Sequence, residues 1–304
     1  MPGFYPTSTM PSNVTIVEVG PRDGLQHEEP LLSAATKIDF INRLSCSGLP
    51  VIESGSMVNP KWVPQLADSE AVIQGIDKYP NIKYPVLVPN KKGMERALAA
   101  GATSVAIFIS ASEGFNRKNL NCSIDESFTR FAPVMALARD NGVDVRAYLS
   151  CVMGCPYDGK IKPMVVATIA RRLLELGCYE VSLGDTIGVG TPLQTQRLIQ
   201  TISKQVPIEQ LAVHFHDTRG QGLANIFASL ELGIATVDAA VAGLGGCPYA
   251  HGSSGNVATE DVVYMLEGMG IESGIDLPAL CETGNMICQQ LQRNNGSKVG
   301  KLYQ

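Results

Sequence analysis

Two histidines stand one residue apart near the end of an apolar run, QLAVHFHD, at residues 210–217. The run has the composition of a β-strand, and strand side chains alternate between two faces. His214 and His216 therefore project to one side and Phe215 to the other. Two convergent imidazoles point to a metal ion. Other groups of suitable chemistry end similar apolar runs along the chain. Arg22 and Asp23 follow VTIVEV, Glu53 lies within VIESGS, Asp185 closes EVSLGD, and Cys247 and Asn256 follow TVDAAVAGLG.

One carboxylate, two imidazoles and an amide carbonyl, from Asp23, His214, His216 and Asn256, suit an octahedral divalent ion that keeps positions open for substrate. Mg2+ or Mn2+ fits this set better than a structural zinc, which recruits thiolates. Such an ion polarises a carbonyl or makes a bound hydroxyl more acidic. Arg22, beside one of these donors, is placed to neutralise a developing oxyanion. The loop 243–256 carries Gly243, Gly245, Gly246, Gly252 and Gly255, a density that permits positive φ and close backbone approach. It has the character of a mobile lid or a phosphate cradle, but lacks the lysine of a P-loop. Cys247 on such a loop is an acid or a nucleophile delivered on closure. His251 reads as a polar loop residue.

These groups meet only if the fold brings many strand ends together. Eight β-rich runs, at 14–20, 51–56, 84–89, 104–110, 144–150, 180–186, 210–217 and 236–245, alternate with helix-length amphipathic segments, several closed by glycine. Eight parallel strand-helix units predict a (β/α)8 TIM barrel, with its active site at the C-terminal strand ends. The catalytic barrel is expected over residues 1–270, with 271–304 as a C-terminal helical extension and tail packed on it. An open doubly wound sheet calls for GxGxxG after the first strand, where this chain reads GPRDGLQ.

The 304 residues are 45% hydrophobic and 17% charged, enough for a large core. A net charge of -5 with scattered Lys and Arg argues against a nucleic-acid surface. No apolar stretch approaches the roughly 20 residues of a membrane span. The first dozen residues show neither a secretory nor an organellar leader pattern, so a cytoplasmic protein is expected. Eight cysteines in this length do not make a disulfide framework. Cys151 and Cys155 fit neither a CxxC motif nor half of a zinc site.

The motifs GPRDGLQ, VIESGSMVNPKWVPQLADS, SASEGFNRKNLNCSIDES, SCVMGCPYDGKI, SLGDTIGVGTP, HFHDTRGQGLAN and VAGLGGCPYAHGSSGNVATEDVVYMLEGMGI together resemble the 3-hydroxy-3-methylglutaryl-CoA lyase family. The resemblance covers residues 14–270. RDG and HxH recur across a wider superfamily of metal-dependent barrel lyases and Claisen-condensing enzymes, whereas GLGGCPY followed by GNVATED is narrower. The resemblance implies cleavage of 3-hydroxy-3-methylglutaryl-CoA into acetyl-CoA and acetoacetate, the chemistry of leucine catabolism. It assigns Mg2+ or Mn2+ to Asp23, His214, His216 and Asn256, with Asp23 or His214 as base. Arg22 would stabilise the thioester enolate and, with Gln26, bind substrate; Cys247 would protonate the enolate. Glu53 would orient ligands or Arg22, and Asp185 would shuttle protons.

Two departures from the family pattern stand out. The tail reads KLYQ, without the C-terminal cysteine of animal members, and LQNEK reads LQHEE, with Glu29 in place of a basic residue. CoA phosphates would meet Arg117 and Lys118, or Lys91 and Lys92. A homodimer is expected through the helical tail, with an acyl-CoA as small-molecule substrate. The alternatives are a lyase for a longer 3-substituted glutaryl-CoA, an acetyl-CoA-dependent condensing synthase, and an acyl-CoA-binding protein without turnover. The synthases usually lack the GLGGCPY loop, and mere binding needs neither Arg22 nor Cys247.

Overall fold

Runs rich in Val, Ile and Phe favour the pleated strand, and parallel strands covered on both faces remain apolar almost throughout. The computed structural model describes residues 10–246 and 255–303. Its strands are β1 (Thr15–Glu18), β2 (Val51–Ile52), β3 (Gly55–Ser56), β4 (Val86–Leu87), β5 (Ser104–Ser110), β6 (Asp144–Ser150), β7 (Gly154–Cys155), β8 (Gly159–Lys160), β9 (Glu180–Asp185), β10 (Leu211–Phe215) and β11 (Thr236–Ala239). All but β7 and β8 form one parallel sheet, ordered β2-β1-β11-β10-β9-β6-β5-β4-β3.

β2 and β3 are two halves of the single run 51–56, broken at Glu53 and Ser54. The first half pairs with β1 and the second with β4. Across the break, Glu53 N donates to Glu18 O at 2.9 Å and Ser54 N to Pro85 O at 2.9 Å. The same run therefore touches both ends of the sheet and closes it into the expected barrel. β7 and β8 form a small antiparallel hairpin beyond β6.

The outer helices are α1 (Ala34–Cys46), α2 (Ser69–Gly75), α3 (Lys91–Ala99), α4 (Glu113–Leu120), α5 (Ile124–Asp140), α6 (Pro163–Leu176), α7 (Pro192–Ile202), α8 (Gly222–Leu230), α9 (Thr259–Gly268) and α10 (Leu277–Gln290). Their starts follow capping chemistry. Ser33, Asn90, Ser112 and Asp276 accept backbone N–H groups, Ser123 and Glu126 form a capping box, and α6, α7 and α10 carry proline in the first turn. Gly177 ends α6 in the left-handed conformation. α10 docks beside α1, with Asp276 N donating to Ser47 O at 2.8 Å. Among the described residues no helix is long and apolar enough to cross a membrane, and the seven cysteines are all unpaired.

The barrel interior departs from the usual filling of branched aliphatic side chains. Arg146, fully buried on β6, makes a two-pronged pair with Asp238 of β11, Nη2 to Oδ1 at 2.7 Å and Nη1 to Oδ2 at 3.0 Å. Its Nε donates to Glu180 Oε2 at 2.6 Å, and Ser182 Oγ donates to Asp238 Oδ2 at 2.7 Å. Such fork-on-carboxylate bonding is strong and directional, so Asp238 is held in one place. That carboxylate is the platform on which the site above it stands.

Candidate active site

Beyond β1 the chain makes one wide helical turn, Gly20–Gly24, with Pro21 near its start and Gly24 N donating to Val19 O at 3.1 Å. The turn sets Arg22 and Asp23 at the C-terminal rim. Glu18 anchors it from below. Its buried carboxyl accepts Gly20 N at 2.8 Å, Val241 N at 2.9 Å and Thr259 Oγ1 at 2.6 Å. Burial pushes the Glu18 pKa up to about 7 despite these donors. The first strand end is thus bolted to the segment that follows the last.

Arg22 lies between two acids. Its Nη1 donates to Asp23 Oδ1 at 2.7 Å, and its Nε stands 2.7 Å from Glu53 Oε2 without hydrogen-bond alignment. Burial works against the guanidinium charge, but Glu53 and Asp23 outweigh it. Burial raises the Glu53 carboxyl, partly offset by Arg22. Burial would likewise raise Asp23, yet Arg22, His214 and His216 together hold it well below the usual carboxylate range. Asp23 is therefore an anion at neutral pH.

His214 and His216 face the same side of β10, as the alternation requires, with ring centroids 5.5 Å apart. His214 Nδ1 lies 3.3 Å from Asp238 Oδ2, which leaves Nε2 to face Asp23, 3.9 Å from Oδ2. A carboxylate behind an imidazole fixes which nitrogen is presented forward. Burial lowers the His214 pKa, but the Asp238 bond and the Asp23 charge carry it above the ordinary value. His216 goes the other way: burial, then the neighbouring His214, lower it to about 4. Its Nδ1 is buried without a partner. A neutral imidazole with an unsatisfied buried nitrogen fits the role of a metal ligand.

Donor atoms of Asp23, His214 and His216 all lie within 4.8 Å of one another, close enough to hold one cation. Asn256 joins them from the far side of the glycine-rich segment. Its Nδ2 donates to Asp23 Oδ2 at 2.9 Å and to Leu244 O at 3.2 Å. The amide nitrogen faces Asp23, and rotation of the amide exchanges it for the oxygen. The base of this segment is tightly pinched: Gly255 N donates to Gly245 O at 3.3 Å, and a Cβ at Gly255 would sit 2.9 Å from Gly245 backbone atoms. Only glycine allows that approach. Glu28 supports it, accepting Gly245 N at 3.3 Å and pairing with Arg293. Cys247 and His251 lie outside the described residues.

Above the donors opens a cavity of about 520 Å³. Its lining includes the polar Arg22, Asp23, Gln26, His214 and His216 and the apolar Trp62, Phe108, Phe115 and Leu120. Arg130 also lines the cavity, and its Nη1 donates to Leu120 O at 2.7 Å. Arg117, Lys118, Lys91, Lys92 and Glu29 are exposed and are not among the residues that line the cavity, although Asn90, Asn119 and Leu120, close to the four basic residues in the chain, are. Asp185 is fully buried at the end of β9, where its two oxygens accept Val189 N at 3.2 Å and Gly190 N at 2.7 Å. The structure thus gathers Arg22, Asp23, Gln26, Glu53, His214, His216 and Asn256, and places Asp185 at the end of β9, bonded to the following loop. Sequence reasoning missed Asp238, Arg146 and Tyr148. Their signal was a charge or phenol in the middle of TVDAAV and DVRAYLS.

The fold and the rim together define a (β/α)8-barrel enzyme with a candidate divalent-cation site and a guanidinium fixed against it. The HMGL-like family model matches residues 13–287. The mitochondrial hydroxymethylglutaryl-CoA lyase of Rattus norvegicus is 57% identical over 96% of this chain and 90% of its own length. The cytoplasmic 3-hydroxy-3-methylglutaryl-CoA lyase of the same species is 53% identical over 97% and 86%. The crystal structure of hydroxymethylglutaryl-CoA lyase from Pseudomonas aeruginosa superposes with a TM-score of 0.95 at 55% identity, covering 97% of this chain and 98% of that one. The chain belongs to the HMGL-like family.

Proposed function

We propose that this protein is a divalent-cation-dependent lyase that cleaves 3-hydroxy-3-methylglutaryl-CoA into acetyl-CoA and acetoacetate. The observation that carries the reading is the position of Arg22, whose guanidinium is locked 2.7 Å from a carboxylate of the donor cluster. Binding a cation requires no such neighbour, but quenching an enolate beside one does. The relatives act in either compartment by name, so the chemistry does not depend on where the chain resides.

Asp23, His214, His216 and Asn256 would hold Mg2+ or Mn2+, which would make a bound tertiary hydroxyl more acidic. The hydroxyl proton passes to the Asp23–His214 pair. The C2–C3 bond then breaks: C3 becomes the ketone of acetoacetate, and the bonding electrons flow through C2 onto the thioester oxygen as an enolate. Arg22 neutralises that oxygen, while Gln26 lines the pocket that receives the acyl group. Glu53 keeps Arg22 in place. Cys247 returns a proton to C2, a role its family motif supports and for which a thiol of pKa ~8.5 is loaded at neutral pH. Asp185 acts through the loop that its backbone bonds shape. The barrel, 1–270, does the chemistry. The extension, 271–304, steadies it, a division supported by the seat of α10 on α1. A homodimer through the tail is supported by the exposed Leu302 and Tyr303.

The test is metal-stripped protein given 3-hydroxy-3-methylglutaryl-CoA, with and without Mg2+ or Mn2+. Equal amounts of acetoacetate and acetyl-CoA are expected only with the cation. No cleavage by protein shown to hold its cation sinks the reading, and the same assay with longer 3-substituted thioesters then locates the substrate. Cys247→Ala is expected to keep cation and thioester binding but lose about 10²–10⁴-fold in turnover, the usual worth of a positioned acid; unchanged turnover removes Cys247 from the mechanism.

A further inference from the structure

Buried polar atoms normally find a hydrogen-bond partner, and three buried hydroxyls among the described residues do not: Ser104, Tyr148 and Thr195. Of these only Tyr148 lines the cavity. It is the middle residue of the inward-facing column of β6, between Arg146 and Ser150. Its ring centroid lies 5.2 Å from the Arg146 guanidinium and 5.3 Å from that of Arg22. It also meets the His214 ring edge-on, with centroids 6.2 Å apart. The ring therefore separates the buried ion layer from the rim, a task phenylalanine would do equally through the same cation–π contacts. Packing accounts for the ring and leaves the hydroxyl unexplained.

We infer that Tyr148 is a catalytic residue, whose hydroxyl donates a hydrogen bond to the thioester oxygen of the bound acyl-CoA and shares with Arg22 the charge gathering there as the carbon–carbon bond breaks. The inference rests on the lyase reading above. When the C2–C3 bonding pair moves onto C2 and the thioester oxygen, that oxygen gains most of the negative charge. A guanidinium and a neutral phenol on one wall of the cavity make a two-donor oxyanion site. A phenol is a hydrogen-bond donor, and burial pushes this one above its ordinary value, so it keeps its proton throughout and competes with neither the base nor Cys247. The unfilled hydrogen bond in the free protein is the one that substrate completes.

Tyr148→Phe tests this, because it preserves the ring and deletes only the donor. Two rates are compared with wild type in the cation-loaded protein: cleavage of 3-hydroxy-3-methylglutaryl-CoA, and exchange of the methyl protons of acetyl-CoA with D2O, followed by NMR. Both pass through the same enolate oxygen, and both are expected to fall by about 10²–10³-fold, as for loss of one oxyanion donor. Cation affinity by calorimetry and the thermal midpoint should stay unchanged. Rates within about tenfold of wild type, or a fall matched by lost cation affinity, overturn the assignment and leave Tyr148 a spacer. A wild type that exchanges acetyl-CoA but does not cleave this substrate refutes the substrate alone, and Tyr148 is then judged on exchange. A wild type that does neither with its cation bound overturns both.

Discussion

His216→Ala is expected to weaken Mn2+ binding by roughly 100-fold or more, while leaving the fold at nearly wild-type stability. Loss of an outer partner of a metal-bound histidine already costs 10–100-fold in affinity, and loss of the histidine itself should cost at least as much. His216 is favourable for the experiment because its Nδ1 has no partner to strand. His214→Ala makes the contrast. It removes the same kind of ligand but also one of the partners of Asp238 Oδ2, at 3.3 Å, so it should lower both cation affinity and resistance to urea. Titration with Mn2+, read by electron paramagnetic resonance, separates the two. A His216→Ala protein that binds Mn2+ as tightly as wild type would show that the donor cluster is not the cation site.

The histidine pair was legible because strand alternation turns an i, i+2 spacing directly into a shared direction. The barrel was legible because eight apolar runs separated by capped amphipathic segments leave few other closed arrangements. The break in the run 51–56 was not, since its cause is long-range: Glu53 sits where one strand must pair with β1 and then with β4. The layer beneath the site was hidden for a similar reason. Arg146 and Asp238 are 92 residues apart, and each appears in the sequence only as a stray charge in an apolar run. Asp185 shows the opposite difficulty. An acid at a strand end can face a substrate or tie down the following backbone, and the sequence around it is the same in both cases. Its bonds to Val189 N and Gly190 N show that it ties down the following backbone.

Arg22→Met should abolish most turnover, by about 10³-fold or more, with cation binding intact or strengthened. One neutral oxyanion donor is worth 10²–10³-fold; a guanidinium in a buried site carries a full charge and should exceed that, at least about 4 kcal/mol of transition-state stabilisation. The sign of the binding effect follows from Asp23. In the intact site its Oδ1 is shared with Arg22 Nη1 at 2.7 Å, and freeing that oxygen leaves a fuller anion for the cation. The fold should survive, because Glu53 can take up a proton when its partner is lost; burial already raises its pKa. Arg22→Lys is the more searching variant. An ammonium keeps the charge but cannot fork between Glu53 and Asp23 as the planar guanidinium does, so its turnover should fall between that of Met and wild type. Equal losses for Lys and Met would mean that geometry rather than charge governs the step. An Arg22→Met protein that turns over normally would leave the enolate without its principal counter-charge and would remove the lyase mechanism from this rim.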